Sequence, residues 1–188
     1  MKKILLPTIM ILVATLFISA MPTEAECSIY EDTVRLHILA NSDSEEDQKL
    51  KLMLRDEILR EFGKSLSVFE SIDEAERELA DKLDEIKLFS DKKIKELGYD
   101  YKTSVTLTTE WYETREYESF SLPCGSYSSL RVVIGEGEGQ NWWCIMFPPL
   151  CLDAAVSSPK YTREEEVLIS KKYSVKFKLL ELISEIAR

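Results

Sequence analysis

The chain of 188 residues has a single histidine, His37, and four cysteines with no Cys-x-x-Cys pair among them. Each scarcity removes a class of chemistry. Structural zinc needs four cysteine or histidine ligands at short spacings, so no metal site is expected, and no fingerprint calls for a cofactor. One histidine leaves one family of His-dependent nucleophiles, Cys124 or Cys144 activated by His37 with a third group to orient the imidazole. Positive charge is also short, with 24 Lys and Arg against 34 Asp and Glu and a formal net charge of −10. That balance argues against nucleic acid, whose binding rests on neutralising phosphates, and against charge-driven docking on an anionic membrane, leaving a protein with a basic or neutral face as the expected partner. Beyond the N-terminus no apolar run is long enough to span a bilayer.

The N-terminus carries Lys2 and Lys3, then an apolar stretch from Ile4 to Ala20, then Thr23 and Ala25 as small residues before a cut after Ala25. This is the layout of an export signal. Glu26, directly before Cys27, is unsuited to lipoprotein processing. The apolar run of about 17 residues is at the lower edge of spanning length, so residues 1–25 read as a signal peptide or, uncleaved, an N-terminal membrane anchor. Removing them takes away Lys2, Lys3 and Glu24, a net +1, and moves the charge from −10 to −11. Residues 26–188 are long enough for a single exported domain with a sizeable core.

Val34, Leu36, Ile38 and Ala40 alternate with Arg35 and His37, the pattern of a half-buried strand with a polar outer face. Asn41 to Ser44 follow, with a Ser42-x-x-Glu45 capping box and acidic residues that favour a helix start. Leu50, Leu54, Ile58 and Phe62 predict a helix ending at Gly63. Ser71-x-x-Glu74 opens a second helix whose stripe runs through Ile72, Leu79, Ile86 and Ile94 to Gly98, with Ser90 and Asp91 as a mid-helix re-cap. From Thr103 the period becomes two, and β-branched residues predict a strand to Tyr112. Residues 115–122 are expected to pair back on it. A third helix is predicted after the Thr162-x-x-Glu165 box. The class is α+β, with about five mostly antiparallel strands and three helices.

Residues 124–151 hold three of the four cysteines and two apolar runs, Leu130 to Ile134 and Trp142 to Phe147, around the glycine-rich Gly135 to Gln140. They read as a glycine-hinged hairpin. A phosphate loop is excluded, because Gln140 stands where G-x-G-x-x-G needs glycine, and Glu136 and Glu138 would repel phosphate. Cys144 and Cys151 bracket Pro148 and Pro149, which turn the chain back. Export permits a disulfide between them, and a buried Cys144 thiol is the equal alternative. Trp142 and Trp143 point to opposite faces of one strand, so at least one lies near the surface. Aromatics beside a mobile loop suit protein binding. The competing reading is an exported Cys-dependent envelope hydrolase using Cys144 and His37.

Arg35 to Gln48 and Gly135 to Cys151, in that order after an export signal, resemble the stage II sporulation protein R family over residues 30–155. Cys124 stands where the family's Pro-x-Gly-x-Tyr pattern leads to a small residue. The resemblance implies a protein made in the forespore and exported into the space between forespore and mother-cell membranes. There it would activate a membrane-embedded aspartic protease that processes the precursor of the mother-cell sigma factor, sigma-E. It brings no catalytic residue with it and implies a signalling ligand, not an enzyme, with membrane association only through the N-terminal segment. The expected contact surface is Gly135, Glu136, Gly137, Gly139, Gln140, Asn141, Trp142, Trp143, Pro148 and Pro149, with His37, Asn41, Ser42 and Asp43 as its companion.

Overall fold

The computed structural model describes residues 7–15, 29–63, 65, 68–116 and 121–148. The chain divides into two compact units, one of residues 30–110 and 126–161, the other of residues 1–29, 111–125 and 162–188. The helix expected after Thr162, and with it Cys27, Pro149 and Cys151, lies outside the described residues. Residues 7–15 are helical. Among the described residues no helix is long and apolar enough to cross a membrane.

The larger unit is built on β1 (Val34–Leu39), α1 (Glu45–Ile58), α2 (Ile72–Asp81), α3 (Leu83–Glu96), β2 (Thr103–Tyr112, its last two residues counted with the other unit), β5 (Gly125–Ile134, its first residue likewise) and β6 (Asn141–Phe147). β2, β5, β1 and β6 form one sheet in that order. β1 is parallel to β5 and antiparallel to β6, so the sheet is mixed where a mostly antiparallel one was expected. The short β3 (Arg115–Glu116) and β4 (Ser121–Leu122) pair only with each other, as a separate two-stranded ladder in the smaller unit. The expected pairing of 115–122 with β2 is therefore corrected, and the described strands number six instead of five.

The larger correction concerns the glycine hairpin. β5 and β6 are not neighbours, because β1 lies between them. The loop must span two inter-strand spacings, about 10 Å, and six residues do what a two-residue turn cannot. Alternation says that strands exist at 130–134 and 142–147, but it carries no information about which strand lies between them.

Val34, Leu36 and Ile38 share one face with Leu130, Val132 and Ile134 of β5 and with Met146 and Phe147 of β6. Onto them pack Leu50, Leu54 and Ile58 of α1, Ala75 and Leu79 of α2, and Ile86 and Ile94 of α3, all buried. Each buried Leu, Ile, Val, Met or Phe among them contributes about 1.5–3 kcal/mol by leaving water.

The helix ends follow local chemistry, with two shifts from expectation. Ser44, not Ser42, caps α1, its Oγ accepting from Asp47 N, while Ser42 turns to the Asp47 carboxylate. Ser71 caps α2 by accepting from Glu74 N, and the Glu74 carboxylate accepts from Glu70 N. The single helix expected from Ser71 to Gly98 is two, broken at Lys82 with φ −99° and ψ 4°. Because only one residue intervenes, the apolar stripe runs on almost in phase and hides the break. Ser90 and Asp91 do not re-cap. Ser90 Oγ donates to Ile86 O inside α3, and Asp91 Oδ1 accepts from Thr103 N at 2.7 Å, fixing the start of β2. Gly98, at φ +90°, closes α3 in the left-handed region that glycine tolerates.

Candidate functional site

β1 ends at Leu39, and the next residues, Ala40 to Asp43, turn beneath the Gly135–Gln140 loop that crosses the strand end. The two segments are joined through main-chain groups. Gly139 N donates to Ala40 O at 3.0 Å and Glu138 N to Asn41 O at 3.1 Å. Glu136 N donates to Asn41 Oδ1 at 3.1 Å, and Gln140 N to Asp43 Oδ1 at 2.8 Å. From α1, Lys51 Nζ reaches Gln140 O at 2.8 Å and Gln48 Oε1 at 2.6 Å.

These contacts explain the glycines. At Gly135, with φ +58°, a Cβ would lie 2.2 Å from Asn41 Oδ1, and at Gly139 it would lie 2.2 Å from Ser42 O. Gly139 is fixed by the Ser42 backbone passing against it, and Gly135 and Gly137 by their positive φ and by the Asn41 and Val133 side chains beside them.

Asp47 holds the 41–44 turn from beneath. Its Oδ2 accepts from Asn41 Nδ2 at 2.9 Å and from Ser42 Oγ at 2.6 Å. Burial pushes this carboxyl up, but hydrogen bonds with Ser42, Asn41, Tyr101 and Ser44 outweigh it and hold the group below the usual carboxylate range. Burial lowers the Lys51 ammonium, with Arg55 adding to the effect and Asp43 opposing it. Replacing Lys51 by methionine leaves Gln140 O without its cation, and a loss of about 1–3 kcal/mol is expected in urea unfolding.

On the opposite side of the sheet from the helices lies a polar row that the sequence pattern assigns to solvent. His37 pairs across with Arg131 and with Trp143, and it is buried at 8% exposure. Its Nδ1 lies 2.9 Å from Glu110 Oε2 and its Nε2 2.9 Å from Asn141 Oδ1. Its ring stacks on Trp143 at 5.6 Å. Arg131 approaches Glu110 Oε1 at 3.4 Å. Arg35, expected on the outer face, is fully buried with its guanidinium 5.2 Å from the Tyr127 ring.

Burial pushes the Glu110 carboxyl up, but hydrogen bonds from His37 and Ser129 and the charges of His37 and Arg131 bring it down to about 2 from 4.5. A carboxylate depressed on folding stabilises the protein above its unfolded value and loses that contribution as pH falls through the folded one. Stability should therefore fall as pH drops from 4.5 to about 2. In urea melts across that window, Glu110→Gln is expected to flatten the fall; an unchanged acid limb would contradict the assignment.

Of the residues expected at a contact surface, Asn41, Ser42, Asp43, Gly135, Glu136, Gly137, Gly139, Gln140 and Asn141 come together at this end of the sheet. Trp142 and Trp143 do point to opposite faces. Trp142 lies on the helical side beneath the Arg55 guanidinium, 4.9 Å from its ring, and Trp143 lies on His37; both are half-buried. Pro148 is buried and follows β6 through a cis peptide bond. Sequence reasoning missed Asp47, Lys51, Glu110 and Arg131. The first two read as ordinary surface residues of a helix start, and the last two become partners of His37 only through strand pairing.

The structure does not assemble the Cys-His pair. Cys144 pairs with Leu36 and so shares the helical face, whereas His37 occupies the other. The Cys144 sulfur is, moreover, in a disulfide, whose other half is not among the described residues. Cys124 is a buried thiol in the smaller unit. Among the described residues no group of three or more His, Cys, Asp or Glu is placed to hold a metal.

The described residues form an α+β module with two loops fastened over a strand end and acidic side chains outward. The comparisons agree in family. The chain belongs to the stage II sporulation protein R family, whose model matches residues 30–157. It is 35% identical over 148 residues to the stage II sporulation protein R of Bacillus subtilis strain 168, an overlap covering 79% of this chain and 66% of that protein. The match thus spans just under two thirds of that relative's length. No solved structure matches. Membership is consistent with a role in sporulation signalling.

Proposed function

We propose that this protein is an exported signal of sporulation that acts by binding. Made in the forespore and delivered to the space between the two membranes, it engages the membrane-embedded aspartic protease that processes the precursor of sigma-E. The work required is differential binding: the ligand must hold the protease's active arrangement more tightly than its inactive one, since equal affinity for both shifts nothing.

One observation carries the site assignment. The two stretches on which the family resemblance rests, 35–48 and 135–151, are far apart in sequence yet joined by main-chain hydrogen bonds at one end of the sheet. A surface made this way presents Asp43, Glu136, Glu138 and Gln140 outward, with half-buried Trp142 and Trp143 beside them. An acidic rim around aromatic anchors suits a protein partner with a basic or neutral face.

The test is reconstitution in a host that does not sporulate, with the chain, the protease and the sigma-factor precursor co-expressed. Processing is expected only when chain and protease are both present. Precursor cleavage without the chain, or no cleavage with all three components correctly placed, would overturn the proposal.

A further inference from the structure

His37 is the only histidine of the chain, and it lies buried on the sheet face away from the helices with an acceptor at each ring nitrogen. Nδ1 is 2.9 Å from Glu110 Oε2 and Nε2 2.9 Å from Asn141 Oδ1. A neutral imidazole has one N–H and one lone pair and cannot donate to both; the imidazolium can. Glu110, its carboxyl brought down to about 2, accepts from Nδ1 in either state, so the state of the ring is read at Nε2, by Asn141. Asn141 is the exposed first residue of β6, and it follows Gln140, which Asp43 and Lys51 hold. Its amide has an acceptor at one end and a donor at the other. While Oδ1 is turned to His37, Nδ2 is the end left for solvent. Among the described residues the strands bring three other charged groups to this face: Glu110 of β2, Arg131 of β5 at 3.4 Å from Glu110, and Arg35 of β1 against the Tyr127 ring.

We infer that His37 is a positioning residue whose charge state sets which end of the Asn141 amide the contact surface shows. As the imidazolium it donates from Nε2 to Oδ1, and the amide N–H groups face outward, toward a carbonyl or carboxylate of a partner. When the ring gives up its Nε2 proton to solvent, two lone pairs face each other at 2.9 Å. The amide then turns over, so that Nδ2 donates to the ring and a carbonyl oxygen faces outward, toward an N–H of a partner. The Nδ1 proton stays with Glu110, and Trp143, stacked on the ring at 5.6 Å, keeps the imidazole in place. A partner that offers the wrong group leaves a polar atom unpaired in the interface, which costs more than the lost bond, so recognition at this residue depends on pH. That Asn141 belongs to the partner-contact surface rests on the function proposed above; the amide switch does not, and its test involves no protease.

The test is an NMR titration of the full chain, isotopically labelled in histidine and asparagine, from about pH 5 to about pH 8. One histidine gives one pair of ring-nitrogen signals. Asn41, the only other asparagine, is held by Asp47 and serves as the unmoved reference. The expected result is two protonated ring nitrogens at the acid end, loss of the Nε2 proton with the Nδ1 proton retained as pH rises, and a change in the Asn141 side-chain amide signals at the same midpoint. Asn141→Asp, which offers oxygen at both ends, is expected to hold the imidazolium and raise the midpoint by about one pH unit. Asn141→Leu, which offers none, is expected to lower it. A ring that keeps one protonation state throughout, an Asn141 amide that does not follow the ring, or a midpoint unmoved by Asn141→Asp would overturn the inference.

Discussion

Replacing Gly139 with alanine is expected to cost about 2–4 kcal/mol and to abolish precursor processing. The added Cβ would lie 2.2 Å from Ser42 O and 2.6 Å from Ser42 C. Both are backbone atoms, so no side chain can swing aside, and one of the two segments must move. The shift strains the bonds from Gly139 N to Ala40 O and from Glu138 N to Asn41 O and displaces Gln140, which Asp43 and Lys51 hold. Gly98→Ala serves as a control. No atom lies within 4 Å of its added Cβ, so its cost is confined to the left-handed backbone, about 1 kcal/mol. Thermal or urea melts of the two variants give the comparison. A Gly139→Ala protein as stable as the parent would show that the loops are not clamped as described.

Replacing Asp47 with alanine should lower stability by a similar amount, about 2–4 kcal/mol. The residue is buried at 4% exposure, and its loss strands Asn41 Nδ2 and Ser42 Oγ beneath the same loops. Asp47→Asn keeps the shape but can accept through only one side-chain atom, and an intermediate loss is expected. Because the carboxyl is held below the ordinary 3.8, its contribution is present above that pH and declines as pH falls below it. The difference between wild type and Asp47→Ala should therefore shrink on acidification. A constant difference down the acid limb would contradict the charged role given to this group.

These two residues also mark what could be read in advance. The helix start at Glu45 and the cap at Ser71 follow from local chemistry, although the first cap, read at Ser42, falls at Ser44, and the α+β class follows from the change in period at Thr103. Which strands pair does not. β1 between β5 and β6 is a non-local choice, with a parallel partner on one side and an antiparallel one on the other, and no spacing within 124–151 encodes it. The polar row of Arg35 and His37 misled for the same reason. Alternation marks it as an outer face, but Glu110, itself paired with Arg131, lets His37 be buried, and the Tyr127 ring lies against Arg35. Glycines at 135, 137 and 139 read as a hinge, whereas the Asn41 side chain passes against Gly135 and the Ser42 backbone against Gly139. The two motifs were legible; their union at one end of the sheet, through Lys51 and Asp47, was not.

The central claim is that the joined 41–43 and 135–143 surface engages the protease. Glu136 and Glu138 are exposed and enter the loop contacts only through their backbone N–H groups, so the double replacement Glu136→Lys, Glu138→Lys should leave the melt unchanged. In the reconstituted host, the rate of sigma-factor precursor processing with this variant is the deciding measurement. A fall of about tenfold or more, the scale of losing a few charged contacts at an interface, is the predicted result; full processing by the folded, correctly placed variant would contradict the account.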